Sequence, residues 1–204
     1  SYPEGLRRRL LPVLAETLAA GGEGAAAARV LEQAGPDPSL ALARALTENA
    51  QGRTEEALEL FDAAARSRDR LMRARALRHA LERRLELGRV TPAEAAQGLE
   101  QTLFAWRGDA QEVVTRLRIA DLRREAGDAR AAMALLRETA SLFPEQAAAI
   151  RPRLQQAFLQ ALETDAPLSA VAMHDAQPDL MPTGDAAAAV LEGLAGRLAA
   201  LDLN

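Results

Sequence analysis

Small and bulky apolar residues recur along this chain in a fixed phase behind its glycines. Counting from Gly52, a small residue falls five positions on at Ala57, a bulky one at nine at Phe61, and a small one at twelve at Ala64. Gly22 repeats the phase with Ala27, Leu31 and Ala34, and Gly127 with Ala132, Leu136 and Thr139, running on to Pro144. Gly88 repeats it with Ala95, Leu99 and Thr102, displaced uniformly by two residues. The four glycines lie 30, 36 and 39 residues apart, straddling the ~34-residue unit of a helical-hairpin repeat. Glycine takes the left-handed conformation at little cost, so each of them ends one helix and the next starts within a few residues. Turns this short make neighbouring helices antiparallel. Thr91-Pro92-Ala93-Glu94 adds a start signal, with a capping Thr, Pro at the first helical position and a Glu able to reach back.

This patterning predicts helices over Pro3 to Ala20, Gly24 to Gln33, Pro38 to Ala50, Glu55 to Ser67, Arg70 to Leu87, Pro92 to Ala105, Ala110 to Ala126, Ala129 to Leu142, Glu145 to Leu162 and Asp185 to Leu201. Between the last two, Thr164 to Gly184 breaks the rhythm. Pro167, Pro178 and Pro182 forbid a continuous helix there, one short helix is expected near Ser169 to His174, and Val171, Met173, Leu180 and Met181 supply apolar anchors for packing.

Composition narrows the class. With 49% hydrophobic residues but 3% aromatic ones, the core must be built from alanine and leucine, and the dominance of Ala, Leu, Arg, Glu and Gln favours helix over strand. An all-α fold follows. Every basic residue is Arg and none is Lys. With the alanine excess this has the look of a GC-rich, bacterial coding bias, and it weakens any functional reading of an Arg-rich patch. A net charge of -4 argues against a general binder of nucleic acid or anionic membrane. The absence of cysteine removes thiolate chemistry and disulfides and leaves the compartment, cytoplasmic or periplasmic, undecided. No apolar run approaches the ~20 residues of a membrane span.

At these residues the chain resembles the tetratricopeptide repeat (TPR) family. Its pattern places a small residue seven positions before the glycine, as at Ala15, Ala45 and Ala120, although Leu81 departs from it. The resemblance covers roughly Leu6 to Phe143, lacks the usual first-helix aromatics, and implies a right-handed helical-hairpin solenoid. The part from Trp106 through Met181 and Gly184 to Leu203 is also similar to segments of larger, poorly characterised bacterial repeat proteins, some with motility or envelope roles. Three regions are therefore expected: repeats over 1–163, a Pro-containing connector over 164–184, and over 185–204 the first helix of a further repeat.

In TPR proteins the first helix of each hairpin lines a concave groove. The resemblance places Asn49, Arg75, Arg78, Glu82, Asp121 and Arg124 at groove positions, which implies a noncatalytic scaffold taking a protein or acidic peptide. The Lys and Asn clamp of the chaperone-binding subfamily is not filled here, so that ligand is not implied. An assembly factor of a bacterial envelope or motility complex is a further reading. Another is nucleic-acid binding through the Arg-rich helix 66–84, which carries Arg66, Arg68, Arg70, Arg73, Arg75, Arg78, Arg83 and Arg84 around a stripe of Leu71, Ala74, Leu77, Leu81 and Leu85. Against a functional reading of that helix, the groove included, stands the plain one of a solvated face neutralised by Glu82, Glu86 and acidic groups on the flanking helices.

Catalytic chemistry is thin. His79 and His174 are far apart and neither has metal-ligand spacing. The glycines of Ala19 to Gly24 follow a helix rather than a strand and lack a phosphate-binding lysine. Neither a catalytic residue, a metal site nor a cofactor is expected. The triplet Arg107-Gly108-Asp109 reads as a corner between helices: Gly108 stops one, Asp109 caps the next with Glu112 in reciprocal position, and Trp106 packs at the junction with its indole N–H on a carbonyl or water. Finally, Val190, Leu191, Leu194, Leu198 and Leu201 form a broad apolar stripe on the last helix. That stripe, with an opening Ser1-Tyr2-Pro3 that lacks Met, leads to the expectation that the chain is part of a longer solenoid. The stripe is then covered by folding back on the preceding helix or by a second copy as a homodimer.

Overall fold

The computed structural model describes residues 4–107 and 110–201. In chain order the helices are α1 (Glu4–Ala20), α2 (Gly24–Ala34), α3 (Ala41–Ala50), α4 (Thr54–Ala64), α5 (Arg70–Glu86), α6 (Pro92–Glu100), α7 (Ala110–Glu125), α8 (Ala129–Leu142), α9 (Ala147–Thr164), α10 (Pro167–Ala176) and α11 (Asp185–Ala199). No strand occurs among the described residues.

Two helices are shorter than expected beside a polar side chain that bonds the local backbone. The expected start at Pro38 is a 3-10 turn, Pro38–Leu40, because Asp37 accepts the Ser39 N–H at 2.9 Å and holds the chain in a tighter turn before α3 begins. The helix expected to run to Ala105 stops at Glu100. There the Thr102 hydroxyl donates to the Leu99 carbonyl at 2.7 Å, and a second 3-10 turn, Leu103–Ala105, follows.

The glycine phase corresponds to one recurring turn. Gly52 has φ 78° and Gly127 φ 85°, a region closed to most side chains. In each, the residue after the glycine donates back across the turn, Arg53 N–H to Glu48 at 3.0 Å and Asp128 N–H to Arg123 at 2.9 Å. Gly22 and Gly88 repeat the arrangement, through Glu23 to Leu18 and Arg89 to Arg84, both 2.8 Å. These are Schellman caps that satisfy the orphan carbonyls at a helix end. The turn after α9 has no glycine: Asp165 and Ala166 leave in extended conformation and Pro167 opens α10. The segment expected to interrupt the repeats therefore contains a ten-residue helix that packs on α9 and α11, followed by a 3-10 turn at Pro178–Leu180. Three prolines suffice to break a long helix, but Pro167 sits where its missing N–H costs nothing.

The contacts form two compact units, described separately. The first comprises the described residues up to Thr91 together with Gly98–Arg107; the second comprises Pro92–Gln97 and the described residues from Ala110 onward. In the first, α1 pairs with α2 and α3 with α4. Its core holds Ala15, Leu31, Leu40 and Ala43, then Leu42, Ala45, Ala57, Phe61, Ala76 and Ala80. Leu81, which departs from the small-residue pattern, is accommodated by a second departure. A Cβ on Gly98 would lie 2.6 Å and 3.0 Å from its two methyl carbons. In the second unit α7 pairs with α8 and α8 with α9, around Ala120, Ala132, Met133, Leu136, Ile150 and Phe158. Leu194 and Val190 of α11 join that core, so part of the C-terminal stripe does fold back, while Leu191 and Leu201 stay exposed. Arg197 fixes the helix by donating to the carbonyls of Leu162 and Asp165 at the end of α9.

Candidate functional site

The candidate residues in the first unit begin on α5, whose start is set by Asp69: its carboxylate accepts the N–H groups of Leu71 at 2.8 Å and Met72 at 2.9 Å. Ala74, Ala76, Ala80 and Leu81 are buried. Leu71, expected in the buried stripe, is 46% exposed in the first turn. Arg75, Arg78 and Glu82 are spaced to share one helical face, and all three are half-buried.

Arg75 is committed within the chain. Its guanidinium meets the carboxylate of Glu16 on α1, with nitrogen–oxygen distances of 2.5 and 3.4 Å. A first-helix residue of one hairpin thus bonds one in another, 59 positions away. Arg78 and Glu82 are also engaged. Two of the remaining four arginines of the helix are held by side chains: Arg83 by Glu86 and Thr54, both at 2.8 Å, and Arg84 by Asp62 at 2.7 Å. The solvated, neutralised reading of the Arg-rich helix thus describes its C-terminal half. Arg70 and Arg73 instead reach backbone carbonyls, Phe104 at 3.4 Å and Ser67 at 3.0 Å. Asn49 lies in the last turn of α3, its side-chain oxygen buried without a protein partner.

His79, which sequence reasoning weighed only as a metal ligand, lies parallel to the Phe61 ring, centroids 5.6 Å apart and planes at 15°. Burial pushes its pKa down from 6.5 to about 4, helped by the charges of Arg78 and Arg75 and opposed by Glu82. It is a neutral packing residue.

In the second unit Asp121 and Arg124 occupy α7. Asp121 accepts from Arg153 Nε of α9 at 3.3 Å. The Arg124 Nε is buried without a protein acceptor, while its carbonyl takes the Gln160 amide at 3.0 Å. A pair missed from the sequence lies on the same helix: Arg116 bonds Glu112 at 2.9 Å and Glu138 of α8 at 3.2 Å, with side-chain exposures near one tenth for the first two. The spacing of four residues between Glu112 and Arg116 was the available signal. The expected cap at Asp109 and stop at Gly108 lie outside the described residues. Trp106 is buried as expected, but its indole N–H has no acceptor among the described residues.

Among the described residues no group of three or more His, Asp or Glu is placed to hold a metal ion. His174 pairs only with its neighbour Asp175, at 3.0 Å. Among the described residues no helix is long and apolar enough to cross a membrane.

Hairpins with repeated caps and small-residue contacts define the class of fold, an all-α, TPR-like helical-hairpin repeat. Two solved structures share it: a putative kinesin light chain of Podosopora anserina with nearly identical TPR-like repeats, and a variant of that same protein. Both are 16% identical to this chain, with a TM-score of 0.52. The variant's alignment covers 97% of this chain and 98% of that one, the other's 96% and 97%. No family model and no curated protein matches the chain.

Proposed function

We propose that the chain is a noncatalytic interaction scaffold that holds a protein segment against the polar faces of the first helices of its hairpins. The contact residues are Asn49, Arg75, Arg78 and Glu82 in the first unit and Asp121 and Arg124 in the second. The observation that carries the reading is the pairing of first helices by their polar side chains, Glu16 of α1 with Arg75 of α5 and Asp121 of α7 with Arg153 of α9. Polar groups of first helices from different hairpins thus meet within each unit, and a chain laid there meets residues from more than one hairpin. Partly exposed ion pairs of this kind contribute little to stability, about 0 to 1 kcal/mol, so a ligand carboxylate can exchange for Glu16 on Arg75 at small cost. A short segment of mixed charge fits such a strip better than a polyanion does.

The test is affinity capture with the chain and with an Arg75→Glu, Arg78→Glu variant, followed by titration of a captured partner. The expected result is a loss of about tenfold or more in affinity. A second variant, Glu16→Arg with Arg75→Glu, keeps the internal pair with its charges exchanged and serves as the folded control. Unchanged affinity in both variants would discard the first-helix face.

A further inference from the structure

A cavity of about 420 Å3 opens in the first unit where α5 begins. Ala65, Ala74 and Leu77 give it an apolar wall, and Arg70, Arg73 and Phe104 line it with charge and an aromatic ring. Phe104 is 68% exposed, and the Arg107 guanidinium lies 5.7 Å from the centroid of its ring. A phenylalanine left in water beside an apolar cavity is the kind of anchor point that contact surfaces use.

The charge around it is one-sided. Of the residues that line it, Arg70 and Arg73 are charged and none is acidic; Arg66, Arg68 and Arg107 lie in the same segments, with Asp69 occupied in capping α5 and Glu100 engaged in a contact of its own. Arg70 and Arg73 donate to backbone carbonyls, neutral acceptors that leave their positive charge in place. Farther along the same helix, Arg75, Arg83 and Arg84 each hold a carboxylate. A chain of net charge -4 has concentrated positive charge where an apolar cavity opens. Cationic rims around apolar pockets select anionic partners with a hydrophobic side chain to bury.

We infer that this cavity and its arginines are a second docking site, for an acidic protein segment that seats one aliphatic or aromatic side chain against Ala65, Ala74 and Leu77 and lays its carboxylates on Arg70, Arg73 and their neighbours. The site goes beyond the first-helix strip and shares no residue with it. Charge complementarity calls for an acidic segment, and the apolar wall calls for a side chain rather than a phosphate backbone. The chain's negative total disfavours a long polyanion.

The probe is a short fluorescent peptide of aspartate and glutamate with one central phenylalanine, titrated against the chain by anisotropy. Exchanging that phenylalanine for serine is expected to weaken binding about tenfold. Arg70→Glu with Arg73→Glu should weaken it at least as much, and Phe104→Ser about fivefold. Phe104 is exposed, so its variant keeps the test valid if the double arginine variant loses its fold. Arg89→Gln, a residue of neither surface, should leave this affinity unchanged. Equal binding of the phenylalanine and serine peptides overturns the proposal, as does no binding at millimolar peptide. Oligothymidylate of the same length binding as tightly, with a steep salt dependence, overturns it in favour of nucleic acid.

Discussion

Threonine at Thr47, Thr115 and Thr139, buried on helices of the repeats, is tolerated because each hydroxyl donates to the carbonyl four residues back, at 2.7 to 2.8 Å. The same side chain can thus stand in for alanine in a small-residue place, as Thr139 does behind Gly127. His79 is the residue with a pH signature. Its folded pKa of about 4 lies below the ordinary 6.5, so between those values the unfolded chain binds more protons than the folded one. Its contribution is fully present above about pH 6.5 and is lost as pH falls toward about 4. The drop corresponds to roughly 3 kcal/mol. Urea unfolding at pH 7 and at pH 4.5 should show the chain losing about 2 kcal/mol more than a His79→Gln variant, which shares every other titrating group. Equal losses would mean that His79 titrates as it does in water.

Between elements, the approach of Leu81 on α5 to Gly98 depends on two departures that compensate. Where Ala15, Ala45 and Ala120 keep facing backbones close, Leu81 is larger and Gly98 opposite it lacks a side chain. A methyl group on Gly98 would overlap both Leu81 methyls and touch the branch carbon at 3.4 Å, so the buried leucine would have to leave its rotamer to admit it. Gly98→Ala should therefore cost about 1 to 3 kcal/mol despite alanine's higher helix propensity. In a background of Leu81→Ala the same change should cost nothing or stabilise. A double-mutant cycle on thermal or urea unfolding measures the coupling, expected at about 1 kcal/mol or more. Additive effects would show that the two side chains do not meet. The departure of Leu81 was legible in the sequence; the partner that excuses it was not, because Gly98 lies inside a helix and matches no turn signal.

For the whole molecule, a repeat architecture makes stability local, since each element contacts chiefly its neighbours. The second unit centres on Phe158, fully buried among Ala132, Leu136, Ile150 and Ala161. Phe158→Ala should cost about 3 to 5 kcal/mol there. Hydrogen exchange is expected to accelerate across α8, α9 and α10 while amides of α3 and α4 in the first unit keep their protection. Equal loss in both would show one concerted unit.

The helices, their order and their stops were legible because they rest on local chemistry: glycine at a left-handed turn, a cap before an apolar run, proline where an N–H is not needed. The expected groove residues came from the resemblance to the TPR family, which assigns a face but not a partner. Only tertiary structure paired Arg75 with Glu16, 59 residues away, and left Arg70 and Arg73 on backbone carbonyls beside an exposed Phe104. Eight arginines in one stretch read alike in sequence; the carboxylates that neutralise some of them arrive from other helices, and long-range contacts decide which. The same holds for the last helix, whose stripe was visible while its division into covered Leu194 and exposed Leu191 depended on where α9 and α10 lie. Period and caps are properties of neighbours along the chain, whereas charge compensation and burial depend on which distant residues the fold brings into contact.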